Sequence, residues 1–285
     1  MLIKMKSEIE RFLRTGDYDP LMTKWPGQQT LDRIKRGAET LWAALVAEVR
    51  RRETQVRLPV LDSLPGDLAG FARAKLAPMV RGLFPRAEHE PVLALLERSV
   101  AFLTPDRIES LIREAGFLGT AWQVANVYLV GIGAEPLDDE MRYVGMSADT
   151  TCYVSLAYFA EEDEFADFVV HEAAHVFHNV KRQTVGLPAT RRRPWLLPIA
   201  FRKRETFAYA CEAYSRILEV SRQPAERQRL FDKRRERPPP PDERVNADEY
   251  FEILAEAVSR RNGWKAILAR CSEKKSPSQI QSGAA

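Results

Sequence analysis

The chain is poor in the residues that staple or anchor proteins. Its three cysteines, Cys152, Cys211 and Cys271, are odd in number, far apart and form no CxxC pair. That excludes a secreted disulfide framework and a cysteine-type zinc knuckle, and it favours a reducing, cytoplasmic location. The N-terminus, MLIKMKSEIERFLR, offers no continuous apolar stretch of secretory-signal length. Within the longest uncharged run, residues 117–134 contain Gly119, Thr120, Gln123, Asn126, Gly131 and Gly133. It reads as a stretch holding a β-strand, and no membrane span is expected. An excess of one charge is also lacking, since 43 Lys plus Arg face 40 Asp plus Glu, so the overall balance by itself implies no nucleic-acid or lipid partner. Histidine is scarce as well, with four in 285 residues, yet His171, His175 and His178 fall within one stretch of eight.

What is present is enough apolar material, 45% of the residues, to build a core without metal or disulfide support. Leu31, Ile34, Ala38, Leu41, Leu45 and Val49 recur at helical spacing over residues 31–52. Shorter helical patterns follow at 68–83, 91–102 and 106–115, punctuated by proline or glycine. After Gly116 the stretches 124–132, 141–146 and 152–159 are rich in β-branched and aromatic residues, which predicts three strands of a small antiparallel sheet. A helical period resumes after the acidic run at Glu161, with Phe165, Phe168, Val169, Ala173 and Val176 on one side. Residues 181–204 read as a long loop, 205–220 as a helix, 222–244 as a charged connection holding four consecutive prolines, and 247–270 as a last helix. The expected fold is α+β and mainly helical. A helical N-terminal region spans 1–116 and a catalytic core 117–221, followed by the Pro-rich connection and C-terminal helix over 222–271 and a disordered tail over 272–285.

His171, Glu172, Ala173, Ala174 and His175 spell H-E-x-x-H. On a helix, positions i and i+4 stand one turn apart on one face, so both imidazoles can reach one metal ion with the carboxylate beside it. Two neutral imidazoles and a carboxylate suit zinc, with a position left for a water whose pKa falls to about 7. Glu172 is the candidate general base that takes the proton of that water and later gives it to a leaving amine. The bland alternative is a surface helix with solvated histidines.

The motif resembles the zincin metallopeptidases. No H-x-x-G-x-x-H continuation follows His175, so the metzincin pattern is absent. Residues 204–212, R-E-T-F-A-Y-A-C-E, are similar to the N-E-x-F-A-x-x-x-E segment of aminopeptidase-type gluzincins at Glu205, Phe207, Ala208 and Glu212. The resemblance covers residues 151–220 and implies one Zn2+ held by His171, His175 and Glu205, a zincin-like core with its sheet packed on the zinc helix, and an extended polypeptide substrate. Read from the residues alone, Glu205 is either that ligand or a first-turn carboxylate favouring the helix dipole, with Glu212 as the fallback ligand. Asn179 occupies the place of an outer partner to a ligand imidazole, His178 lines the cleft or caps the helix end, and Tyr209 and Tyr250 are candidate donors to an oxyanion, Tyr214 being placed in the core. The strand at 152–159 is the candidate edge for pairing with substrate.

A second function class comes from the loop 181–204. It carries Lys181, Arg182, Arg191, Arg192, Arg193, Arg202, Lys203 and Arg204 and no acid, leaving the rest of the chain with more acids than bases. Such a loop suits an acidic partner or nucleic acid. In that reading the protein is nucleic-acid-associated, or a purely structural zinc protein.

Overall fold

A computed structural model describes residues 2–58, 64–139, 145–148, 150–191 and 193–273. In chain order these form α1 (Leu2–Thr15), α2 (Thr30–Glu53), α3 (Leu68–Leu83), α4 (His89–Ser99), β1 (Val100–Leu103), α5 (Ile108–Glu114), α6 (Leu118–Gly131), β2 (Gly145–Ala148) and β3 (Thr151–Ser155). There follow α7 (Phe168–Asn179), α8 (Arg204–Val220), α9 (Pro224–Arg235), α10 (Ala247–Ser259) and α11 (Gly263–Cys271). The architecture is thus mainly helical α+β. Among the described residues no helix is long and apolar enough to cross a membrane.

The chain divides into two compact units. The first takes the described residues of Met1–Gly66, Ala101–Ala148 and Tyr153–Glu161. Its core is built from Leu41, Leu45 and Val49 of α2, Ile108 and Ile112 of α5, and Ala121, Val124, Ala125 and Tyr128 of α6, closed over by Phe12 of α1. Each such fully buried aliphatic side chain contributes about 1.5–3 kcal/mol of transfer free energy. The second unit takes Asp67–Val100, Asp149–Cys152 and the described part of Glu162–Ala285. In it α3 packs on α4, α7 on α8, and α10 on α8, α9 and α11.

Several sequence expectations give way here. The stretch 124–132, expected as a strand, lies inside α6, which is buried on nearly every side. A helix without a solvent face shows no 3.6-residue period, so its β-branched residues imitate a buried strand. Residues 100–102, expected to end a helix, begin the buried strand β1. The expected strand at 141–146 falls partly outside the described residues, and what is described there is β2. Only the first half of 152–159 is strand, because Ser155 caps a 3-10 turn over Leu156–Ala160 by accepting from the N–H of Ala157 at 3.1 Å.

The sheet is mixed rather than antiparallel, in the order β1-β3-β2. β2 and β3 are neighbours in the sheet and adjacent in the chain, whereas β1 reaches β3 only after α5 and α6. This order also overturns the assignment of 152–159 as an edge. Among the described residues β3 is the central strand, with β1 on one side and β2 on the other.

The charged connection 222–244 contains α9, whose Pro224 occupies the first turn where its missing N–H costs nothing. Only Leu230 and Phe231 give this helix an apolar face, too little to register as a period. The last expected helix is two, separated where Asn262 caps α11 by accepting the Lys265 N–H at 3.3 Å. Beyond residue 273 the expected disordered tail lies outside the described residues.

Candidate metal centre

The centre is assembled in the second unit by α7 and α8, which pack side by side. Asp167 starts α7 by accepting the Val170 N–H at 3.3 Å, a cap that fixes where the helix begins and so which residues face α8. Four residues apart on this helix, His171 and His175 bring their Nε2 atoms to 3.3 Å of each other. From the first turn of α8, Oε2 of Glu205 lies 3.4 Å from Nε2 of His175 and 3.7 Å from Nε2 of His171. Atoms about 2.0–2.1 Å from a shared tetrahedral ion stand roughly 3.3–3.5 Å apart, so these three side chains can hold a metal ion.

The remaining faces of the group are also specified. Nδ1 of His171 donates to Oε2 of Glu212 at 3.0 Å, so in the neutral tautomer, the one able to bind a metal, the lone pair lies on Nε2. Tyr209 sets its ring edge-on to His171 at 4.5 Å between centroids. Arg244, arriving from the segment between α9 and α10, places Nη1 3.0 Å from Oε1 of Glu205. Glu172 is only 8% exposed, and among the described residues it makes no hydrogen bond or ion pair. Carboxylates that secluded are ordinarily paired.

Burial opposes a proton on His171, but the carboxylates of Glu205 and Glu212, together with Glu172, outweigh it and push the imidazole up to about 10. Burial would raise Glu205, yet the two imidazoles hold it far below the usual carboxylate range. The two shifts are largely the two sides of one interaction, the Glu205 carboxylate against the imidazoles. Burial, reinforced by Glu212, pushes the Tyr209 hydroxyl up to about 12. His178 lies with its ring edge-on to His175 at 5.3 Å. Burial, with the nearby charges of His175 and Arg204, drives it down to about 3, so it stays neutral.

Other residues singled out from the sequence lie elsewhere. Asn179 is exposed at the end of α7, and Glu212 holds the imidazole nitrogen that Asn179 was expected to serve. Tyr214 accepts the Gly263 N–H at 3.1 Å, and Tyr250 is buried beneath the guanidinium of Arg234. The signal for Glu212 was its spacing, since seven residues on from Glu205 it shares a face of α8 two turns along. Arg244 carries no signal in the sequence, sitting 39 residues from Glu205 in a charged, proline-rich stretch.

The basic loop is pinned to the second unit by the buried Leu196, Leu197 and Ile199. Backbone hydrogen bonds run from Leu196 to Val180 and from Leu197 to Phe177. Part of its charge is used internally, as Arg182 pairs with Glu88 and Lys203 with Glu249. Arg191 and Arg202 are exposed, and Lys181 lies over the ring of Trp195 at 5.8 Å.

No protein family, no curated protein and no solved structure matches the chain.

Proposed function

We propose that the protein is a zinc-dependent peptidase, with His171, His175 and Glu205 as ligands and Glu172 as general base. The observation that carries this reading is the company Glu172 keeps. A nearly buried carboxylate with no hydrogen-bond or ion-pair partner among the described residues stands next in sequence to one of the residues that bring three ligand atoms together. Three protein ligands leave a coordination position free, the pattern of a catalytic rather than a structural zinc site. Zinc bound there supplies a Lewis acid for the scissile carbonyl and lowers the pKa of water to about 7. Glu172 then accepts the proton of the attacking water and delivers it to the departing amine, a transfer that contributes roughly 10²–10⁴-fold in rate. Tyr209, whose ring stands edge-on to His171, is the candidate donor for the developing oxyanion.

Metal analysis of the purified protein, paired with cleavage assays on an unfolded polypeptide, tests the proposal. One zinc per chain is expected, with cleavage that falls by roughly 10²–10⁴-fold in Glu172→Gln while the metal content holds. Equal cleavage by wild type and Glu172→Gln would overturn it, as would a zinc-loaded wild type that cleaves nothing, itself included.

A further inference from the structure

The two oxygens of Glu205 face different partners. Oε2 points at the imidazole pair, whereas Oε1 is met by Nη1 of Arg244 at 3.0 Å. Arg244 is itself held, because its Nε donates to both oxygens of Asp242, at 2.9 and 3.2 Å, and its Nη2 bonds the same carboxylate. The backbone N–H of Arg244 donates to Asp242 as well, at 2.8 Å, and the Val245 N–H donates to the Asp242 carbonyl at 3.0 Å. The guanidinium is thus fixed by its own turn, directly after four prolines that restrict the backbone. Its side chain is 65% exposed, and an ion pair that open to water adds little to folding stability. A fixed, exposed guanidinium on one oxygen of a partly buried carboxylate acts instead on what that carboxylate can do.

We infer that Arg244 is a positioning residue for the metal centre: by occupying Oε1 it makes Glu205 a ligand through Oε2 alone. The inference rests on the metal reading of His171, His175 and Glu205. A carboxylate that turns both oxygens to a metal takes two coordination positions, and one that offers a single oxygen takes one. With Oε1 engaged by the guanidinium, the protein contributes three donor atoms and a coordination position remains for the substrate carbonyl. Asp242 serves by aiming Arg244, through the fork geometry that lysine lacks.

Cobalt(II) in place of zinc reads this directly, because four-coordinate cobalt absorbs visible light severalfold more strongly than five- or six-coordinate cobalt. Wild type is expected to bind one cobalt with the strong absorption, and His175→Ala to abolish that binding. In Arg244→Met the visible band should weaken severalfold as Glu205 turns both oxygens to the metal, with a cobalt dissociation constant changed by roughly 10-fold or more. Asp242→Asn, which loosens Arg244 without removing it, should shift the band in the same direction by less. Thermal unfolding of the metal-free variants should match wild type, separating positioning from folding. An Arg244→Met spectrum and affinity identical to wild type would overturn the inference while leaving the metal reading intact. Failure of wild type to bind cobalt in a His175-dependent manner would overturn both.

Discussion

One carboxylate, that of Glu212, ties the ring of His171 to the start of the helix that carries it. Its Oε2 accepts from Nδ1 of His171 at 3.0 Å, and its Oε1 accepts the backbone N–H of Asp167, the N-cap of α7, at 2.7 Å. A carboxylate on Nδ1 fixes the tautomer of an imidazole and increases the donor strength of Nε2. Glu212→Gln offers one acceptor oxygen to two N–H donors, so either the ring or the cap loses its partner. The expected result is metal affinity weakened by roughly 10–100-fold, measured by competition with a chelating dye. Unchanged affinity would assign Glu212 to helix packing alone.

A second prediction concerns the best-buried guanidinium. Arg182, 2% exposed, grips Glu88 with Nη1 at 3.1 Å and Nη2 at 2.6 Å. Truncation to Arg182→Ala leaves the Glu88 carboxylate only the looser pairing with Arg193 at 3.5 Å, and unfolding in urea should show a loss of about 3 kcal/mol. The double replacement Arg182→Met, Glu88→Leu removes both charges and should recover most of that loss. A double variant as unstable as the single one would place the cost in packing instead.

Acid should weaken the first unit through Glu48. The Arg51 guanidinium, helped by Arg52, holds this carboxyl down at about 2 against its burial, while its unfolded value is 4.5. A folded pKa below the unfolded one gives stability that is complete above pH 4.5 and is lost as the pH falls towards 2. Allowing for the solvent around Arg51, the contribution is on the order of 1–2 kcal/mol. Denaturant midpoints should therefore separate wild type from Glu48→Gln at pH 6 and converge near pH 2. A gap that stays constant over that range would remove Glu48 from the acid response.

Gly82 of α3 lies under the indole of Trp264, and a Cβ at that position would overlap the ring. Gly82→Ala is expected to cost about 1–3 kcal/mol by overpacking, seen as a lower melting temperature. Trp264→Leu alone leaves a void, but combined with Gly82→Ala the two costs should be less than additive because they share one space.

How far the sequence was legible follows the range of the interactions involved. The helices at 31–52 and 68–83 could be read because each exposes one face and buries the other, as Leu41, Leu45 and Val49 do in α2. The helix at 118–131 could not, since burial of Ala121, Trp122, Val124, Ala125, Val127 and Tyr128 leaves no polar face to mark the turn. The reverse failing hid α9, where Arg227 and Arg234 are themselves buried and charge no longer marks the solvent side.

For the candidate site the division is equally physical. The convergence of His171 and His175 is decided by residue order alone, because four residues on one helix stand one turn apart whatever the rest of the chain does. The nearness of Glu172 to them is decided in the same way. Which carboxylate of α8 faces Nε2 and which faces Nδ1 depends on how α8 lies against α7, and packing gave Oε2 of Glu205 the first and Glu212 the second. The arrival of Arg244 on the far oxygen of Glu205 is a matter of tertiary structure entirely, since no local rule relates residues 39 positions apart. It rests on where α9 and α10 leave the ends of a proline-stiffened segment and on the carboxylate of Asp242 that aims it.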